Sequence, residues 1–329
     1  MSGTHAHDVV IVGGGPGGYA AGLYAAGIGL DVGLVESNKI GGTCLHVGCI
    51  PAKELLETAH VYRTVRDAAE FGVVAGEPAI DWSTTMERKQ AIVDQLAGGV
   101  ATLLKGRKAT VYDGVGRLGA DRTVTVTGGE SDGTVLTGRA VILATGSVPR
   151  TIPGFEVDGR FVVTSDEFLS IEKLPASAVV IGGGAIGCEF ASTMGDLGVD
   201  VTVLEALPQI LTGCDADATK VVERSFKKRG ITVRTGVAVT GHTPDPSGAT
   251  TTVSFGDGES LSVELVEVGL GRRAVTEGDG ADEAGGGGDG RGVRVGVGRC
   301  RTSAGGVGAG GVVFGAGLGG AGAGGGGVG

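Results

Sequence analysis

A chain of 329 residues is longer than one ordinary core requires, and a net charge of −10 argues against a surface built to hold nucleic-acid phosphates, so two α/β domains are the first expectation. No apolar run reaches the roughly eighteen residues of a membrane span, and the start Met1-Ser2-Gly3-Thr4-His5 lacks the basic-then-apolar layout of a secretory signal; a soluble cytoplasmic protein is expected. Glycine, at 68 residues, is unevenly spread: it fills roughly half of the positions beyond about Gly278, a low-complexity bias, whereas the chain up to about Arg273 reads as ordinary α/β sequence.

The first element is a buried-strand run, Asp8-Val9-Val10-Ile11-Val12, which Gly13-Gly14-Gly15-Pro16-Gly17-Gly18 turns into a helical segment from Tyr19 to Gly29. Each glycine has its own task. Gly13 permits the tight turn, Gly15 lets the backbone approach a pyrophosphate, and Gly18 lets the helix pack closely on the sheet with its N-terminus facing the anion. A second strand, Asp31 to Val35, ends at Glu36, whose carboxylate can accept hydrogen bonds from ribose hydroxyls.

Next comes Gly41-Gly42-Thr43-Cys44-Leu45-His46-Val47-Gly48-Cys49-Ile50-Pro51-Ala52-Lys53. Of five cysteines only Cys44 and Cys49 are close, and no second Cys/His cluster at ligand spacing would complete a tetrahedral metal site. Two thiols at this spacing can close into a disulfide, and a helix starting near Pro51 would favour thiolate at Cys49 through its N-terminal dipole.

The dinucleotide device then recurs. Val179-Val180-Ile181 leads into Gly182-Gly183-Gly184-Ala185-Ile186-Gly187, and Val201 to Leu204 ends at Glu205, so Gly13, Gly15, Gly18 and Glu36 are repeated at one offset as Gly182, Gly184, Gly187 and Glu205. A carboxylate at Glu205 repels a 2′-phosphate, which favours NAD over NADP. A decayed duplicate that only packs is the rival reading of this second copy.

These segments, with Ala144-Thr145-Gly146-Ser147 and Gly187-Cys188-Glu189-Phe190, resemble the pyridine nucleotide-disulfide oxidoreductases over about Asp8 to Arg273, and within them most closely the members that oxidise dihydrolipoamide. His46 departs from the usual Asn of the cysteine motif. The resemblance implies two Rossmann-like domains: residues 1–149 binding FAD and carrying the redox disulfide, and 150–273 binding NAD. It implies that Cys44 is the interchange thiol, that Cys49 lies against the flavin, and that Lys53 and Glu189 form a buried pair beside it. Gly114, Thr145, Gly146 and Ser147 would contact FAD, and Gly271 would lie next to NAD. Solvated helix surfaces are the plainer reading of Lys53 and Glu189, and small packing residues that of Cys188 and Cys214. His5, His7, His60 and His242 show no ligand spacing, and no metal site is expected.

The resemblance further implies lipoamide-linked reduction of NAD+, a substrate carried on the lipoyl domain of a 2-oxoacid dehydrogenase complex, and a homodimer. Members reducing glutathione or mercuric ion, and a non-catalytic nucleotide-binding remnant, are the alternatives. The family's C-terminal interface domain, with its His-Glu pair, has no counterpart in this sequence. Residues 274–329 read as a degenerate, Gly-rich remnant of the segment that returns to the FAD domain, with Val312 where an Asp would hold the ribityl chain, and this tail is expected to pack poorly.

Overall fold

The apolar run ending at Val12 lengthens into strand β1 (Thr4–Val12), and the glycine turn delivers it to helix α1 (Pro16–Gly27), with Pro in the first turn where its missing N–H costs nothing. The chain continues through β2 (Val32–Glu36), the short α2 (Gly42–His46), α3 (Cys49–Arg66) and α4 (Trp82–Gly106). Then follow β3 (Thr110–Asp113), β4 (Val115–Leu118), β5 (Thr123–Thr127), β6 (Val135–Leu143), β7 (Ser147–Pro149), β8 (Val162–Thr164), α5 (Ser165–Phe168), β9 (Ser177–Ile181) and α6 (Ala185–Asp196). The last full stretch holds β10 (Asp200–Glu205), α7 (Ala216–Lys228), β11 (Thr232–Thr235), β12 (Val239–Pro244), β13 (Thr251–Phe255), β14 (Glu259–Val263), β15 (Leu265–Val268) and β16 (Arg272–Ala274). The computed structural model describes residues 3–119 and 122–280, and beyond them the backbone of β17 (Gly287–Gly288), β18 (Arg294–Val295), β19 (Cys300–Thr302) and β20 (Val312–Gly315).

The chain divides into two compact units. The first comprises Met1–Ile40, Val100–Gly146 and Ala274–Gly329. Its sheet runs β19-β20-β6-β1-β2-β3, with β4 and β5 branching from β6. The strands β6, β1, β2 and β3 are parallel, pairing Val9 with both Ala140 and Val32, and Val35 with Tyr112. Such strands are buried on both faces, which is why β1 reads as an unbroken apolar run. Val9 and Ile11 pack with Leu34, Ala25 and Leu104, while Val10 and Val12 join Val35, Leu118, Val126 and Leu136. In the tail, the backbone of β20 pairs antiparallel with β6, Val312 opposite Leu143. The expected poor packing of the tail, and the side chain of Val312, lie outside the described residues.

The second unit comprises Gly41–Gly99 and Ser147–Arg273. The segment carrying both motif cysteines, placed with the first domain on sequence grounds, therefore packs here. Five parallel strands run β11-β10-β9-β15-β8, and β12, β13 and β14 form a separate antiparallel sheet. One core joins Ala52, Leu55 and Ala59 of α3 to Ala178, Val180 and Val203 of the sheet and to Ala191 and Met194 of α6. Another joins Phe155, Phe161, Val179 and Leu204 to Val253 and Phe255 of β13. Each fully buried Phe or Leu contributes about 1.5–3 kcal/mol. Polar pinning adds to this: Asp196 at the end of α6 accepts from Arg63 of α3 at 2.6 Å and pairs with Arg229, just past α7, at 3.0 Å. No helix among the described residues is long and apolar enough to cross a membrane.

Candidate functional site

Each unit builds the same loop from its own strand, turn and helix. In the first, a side chain at Gly18 would collide with the Gly13 carbonyl, and Gly13 itself adopts φ +104°. In the second, a side chain at Gly187 would collide with the Gly182 carbonyl. The glycines are thus demanded by the contact of helix with strand, independently of any ligand.

The acids at the ends of β2 and β10 match bond for bond. Glu36 Oε2 accepts from Gly14 N at 2.6 Å and Oε1 from Asn38 N at 2.8 Å; Glu205 Oε2 accepts from Gly183 N at 2.6 Å and Oε1 from Leu207 N at 2.8 Å. Each carboxylate therefore anchors its own glycine loop, a task that sequence reasoning missed. Each oxygen still has a second lone pair with which to accept from a ribose hydroxyl.

The donor set fits a dinucleotide. Neither α1 nor α6 has a side-chain cap or an acid in its first turn, although α5 is capped by Thr164 and α7 by Asp215 in the same protein. With no side chain capping them, the early N–H groups of α1 and α6 can donate to an anion, and the helix dipole favours negative charge there. Gly15 and Gly184 occupy the N-cap positions in extended geometry, and a Cβ on Gly184 would point into open space.

The remaining residues expected at the nucleotide sites fall at strand ends. Gly114 N donates to Glu36 O at 3.0 Å, which sets this glycine at the end of β2. Thr145 Oγ1 donates to Val275 O at 2.6 Å, and Gly146 O accepts from Val275 N at 3.0 Å. Ser147 belongs to the second unit, where its hydroxyl accepts from Arg272 Nε at 3.0 Å and its carbonyl from Arg272 Nη2 at 2.9 Å. The same guanidinium reaches Asp166 Oδ1 at 2.7 Å. Gly271 O accepts from Arg150 N at 2.9 Å, next to Arg272.

Cys44 lies in α2, and Cys49 opens α3, two residues earlier than the start expected near Pro51. Gly48 makes the junction possible: a Cβ there would sit 2.8 Å from Thr43 O and 3.1 Å from Cys44 Cα. The two thiols are free, Cys49 is exposed, and the pair is close enough to hydrogen-bond. Burial, then the hydrogen bond and charge of Cys49, push the Cys44 thiol up to about 11, against smaller opposing pulls from the Cys49 backbone N–H and then from Lys53. Cys44 therefore remains protonated at neutral pH while the pair is reduced. Lys53 Nζ donates to Glu189 Oε1 at 2.5 Å, tying α3 to α6, but the two side chains are 57% and 35% exposed rather than buried.

A carboxyl that motif reading passed over lies beneath the second loop. Glu267 of β15 is fully buried, neither of its oxygens has a hydrogen-bond partner among the described residues, and burial pushes its pKa up to about 8. An acid inside the apolar run Leu265–Val268 was the available signal.

The sequence profile of the pyridine nucleotide-disulphide oxidoreductases matches residues 7–323. The dihydrolipoyl dehydrogenase of Bacillus subtilis is 44% identical over 287 residues, covering 84% of this chain and 60% of the relative, and that of Zymomonas mobilis is 38% identical over 282 residues, again covering 60% of the relative. This chain thus spans about 60% of the length of these curated relatives. Among solved structures, LpdA from Mycobacterium tuberculosis superposes with TM-score 0.79 at 25% identity, covering 88% of this chain and 63% of that one. The HOCl-induced flavoprotein disulfide reductase RclA of Escherichia coli, solved as a Cu(II) complex, superposes with TM-score 0.76 at 25% identity, covering 88% and 62%. With two matched dinucleotide loops, a cysteine pair at the head of a helix and a profile match along nearly the whole sequence, the chain belongs to the pyridine nucleotide-disulphide oxidoreductase family.

Proposed function

We propose that this chain carries the nucleotide-binding and disulfide-exchanging parts of a dihydrolipoamide:NAD+ oxidoreductase, with FAD held by the first unit and NAD by the second. The observation that carries the reading is the combination of a Cys44/Cys49 pair with two glycine loops that are each anchored by an acid, Glu36 and Glu205. Identity of 44% to a dihydrolipoyl dehydrogenase favours dihydrolipoamide over glutathione or mercuric ion as substrate. Bound FAD would supply the two-electron link between a dithiol and a nicotinamide.

In this reading Gly13, Gly15 and Gly18 present the first turn of α1 to the FAD pyrophosphate, and Gly114, Thr145, Gly146 and Ser147 lie at its margin. Gly182, Gly184 and Gly187 do the same for NAD, with Glu205 on the ribose and Gly271 next to the nucleotide. Cys44 exchanges with the substrate sulfurs and Cys49 is the thiol on the flavin side, so the pair stores two electrons as two thiols and releases them on closing to a disulfide. Lys53, paired with Glu189, places a positive charge that eases ionisation of Cys44. The protonated state of Cys44 in the reduced pair calls for a base during exchange. The substrate dithiol would arrive on the lipoyl domain of a 2-oxoacid dehydrogenase complex.

Protein loaded with FAD and given dihydrolipoamide and NAD+ should form NADH, and Cys44→Ser or Cys49→Ser should abolish it while leaving the flavin absorbance. Flavin retention without any lipoamide-dependent NADH formation would overturn the enzymatic reading and leave a nucleotide-binding remnant.

A further inference from the structure

Two cysteines outside the motif are tied to the second glycine loop through one carbonyl. Cys188, buried in the first turn of α6, donates its thiol to Gly183 O at 3.4 Å. The same carbonyl accepts from Leu211 N at 2.7 Å, and Leu211 O in turn accepts from Cys214 N at 2.8 Å. One backbone oxygen of the loop therefore holds both the buried thiol and the turn that carries the exposed one. We propose that Cys188 and Cys214 form a second dithiol centre, oxidised to a disulfide by small-molecule disulfides and seated against the second glycine loop.

The chemistry is asymmetric. Burial, followed by the charges of Glu205, Cys214 and Glu189, pushes the Cys188 thiol up to about 12. Exposed Cys214 reacts first: its thiolate attacks the reagent R–S–S–R, forms Cys214–S–S–R, and expels one R–S⁻ that takes up a proton. Cys188, on losing its proton, then attacks the Cys214 sulfur, the bond to the second R–S breaks, and a second R–SH leaves. Two protein thiols lose two electrons, and one small disulfide becomes two thiols. The second step is slow at neutral pH because so little Cys188 is ionised.

Closure has a consequence for the loop. Once the Cys188 sulfur is bonded to Cys214, its hydrogen bond to Gly183 is lost, and Gly183 is the residue whose N–H anchors Glu205. Resting on the assignment of this loop to NAD, the bridge is expected to weaken NADH binding about tenfold or more.

The test uses the 329-residue chain with Cys44→Ser, Cys49→Ser and Cys300→Ser, treated with oxidised glutathione and mapped by mass spectrometry, with the unsubstituted chain mapped in parallel. A glutathione adduct should appear first at Cys214 and give way to a Cys188–Cys214 disulfide, with closure accelerating about tenfold per pH unit. A stable adduct at Cys214 with Cys188 still alkylatable after unfolding, or no reaction at either thiol, overturns the proposal. NADH affinity that falls on oxidation, recovers with dithiothreitol and is indifferent to oxidant in Cys214→Ser supports the loop coupling; equal affinity before and after closure overturns it. If the reduced protein binds no NADH, the nucleotide assignment fails, and the peptide map alone decides the dithiol.

Discussion

Glu205 illustrates how a single side chain can serve fold and ligand together. Its carboxylate takes N–H bonds from Gly183 and Leu207, so truncation strands two donors at the loop that the nucleotide is proposed to occupy. Glu205→Ala should therefore cost about 1–3 kcal/mol of stability as well as NAD affinity, whereas Glu205→Gln, which keeps one acceptor oxygen, should fold nearly as well. Both should narrow the preference for NAD over NADP, because the charge that repels a 2′-phosphate is gone. Titration of each variant with NADH and NADPH checks this; an unchanged preference in Glu205→Gln would remove the acid from nucleotide choice. The acid and glycines of this loop were legible in the sequence because short-range spacing alone defines them.

Glu267 was not legible in the same way, because burial is set by neighbours distant in the chain. Its strand partners are Val163 and Val180, and its pKa of about 8 lies above the 4.5 of an exposed glutamate. Between those two values the folded state holds one more proton than the unfolded chain, so stability should fall as pH rises from about 4.5 to about 8 and level off beyond. Replacing the acid with an apolar residue of similar volume should remove that slope and raise stability at pH 8 by an amount on the order of a few kcal/mol. Urea unfolding of the parent and Glu267→Leu at pH 5, 7 and 9 reads both effects. Parallel pH profiles would show that this carboxyl is not the source of the dependence.

Among the elements, the junction of α2 with α3 decides whether the cysteines can work as a pair. Gly48 allows the backbone after Thr43 to pass close under the start of α3, and a methyl group there meets backbone atoms, which cannot rotate away. Gly48→Ala should shift α2 by some tenths of an ångström and slow closure of the Cys44–Cys49 disulfide, which tolerates little error in Cβ separation. The folding core should be spared, since Ala52, Leu55 and Ala59 lie further along α3. Thiol titration against oxidant, with circular dichroism as control, makes the comparison; closure at the parental rate would show that the junction has slack.

The packing of the segment 41–99 is an element-scale feature that the sequence left hidden. The spacing of Ala52, Leu55 and Ala59 says that one face of α3 is buried, but helical periodicity carries no label for what covers it. Continuity along the chain suggested the first domain, and the cover is in fact α6 and the second sheet. The salt bridge from Lys53 to Glu189 and the pinning of Asp196 by Arg63 follow from the same long-range contact.

For the molecule as a whole, the repeated loop predicts two ligand sites that can be removed one at a time, because each glycine loop and its anchoring acid belong to a single unit. Gly184 offers a clean lesion: a Cβ there meets nothing within 4 Å, and its φ of −74° suits any residue, so Gly184→Val should fold normally and fill only the space over the first turn of α6. A ligand that binds the native state alone raises stability by RT ln(1 + [L]/Kd), about 2.7 kcal/mol at a hundredfold excess over Kd. The parent should therefore melt several degrees higher with saturating FAD and higher again with NADH. Gly184→Val should keep the FAD increment and lose the NADH increment, whereas disabling the first loop by Glu36→Ala should erode the FAD increment and leave that of NADH. Loss of both increments in Gly184→Val would contradict the assignment of one nucleotide to each unit. Loss of neither would contradict the placement of a pyrophosphate over α6.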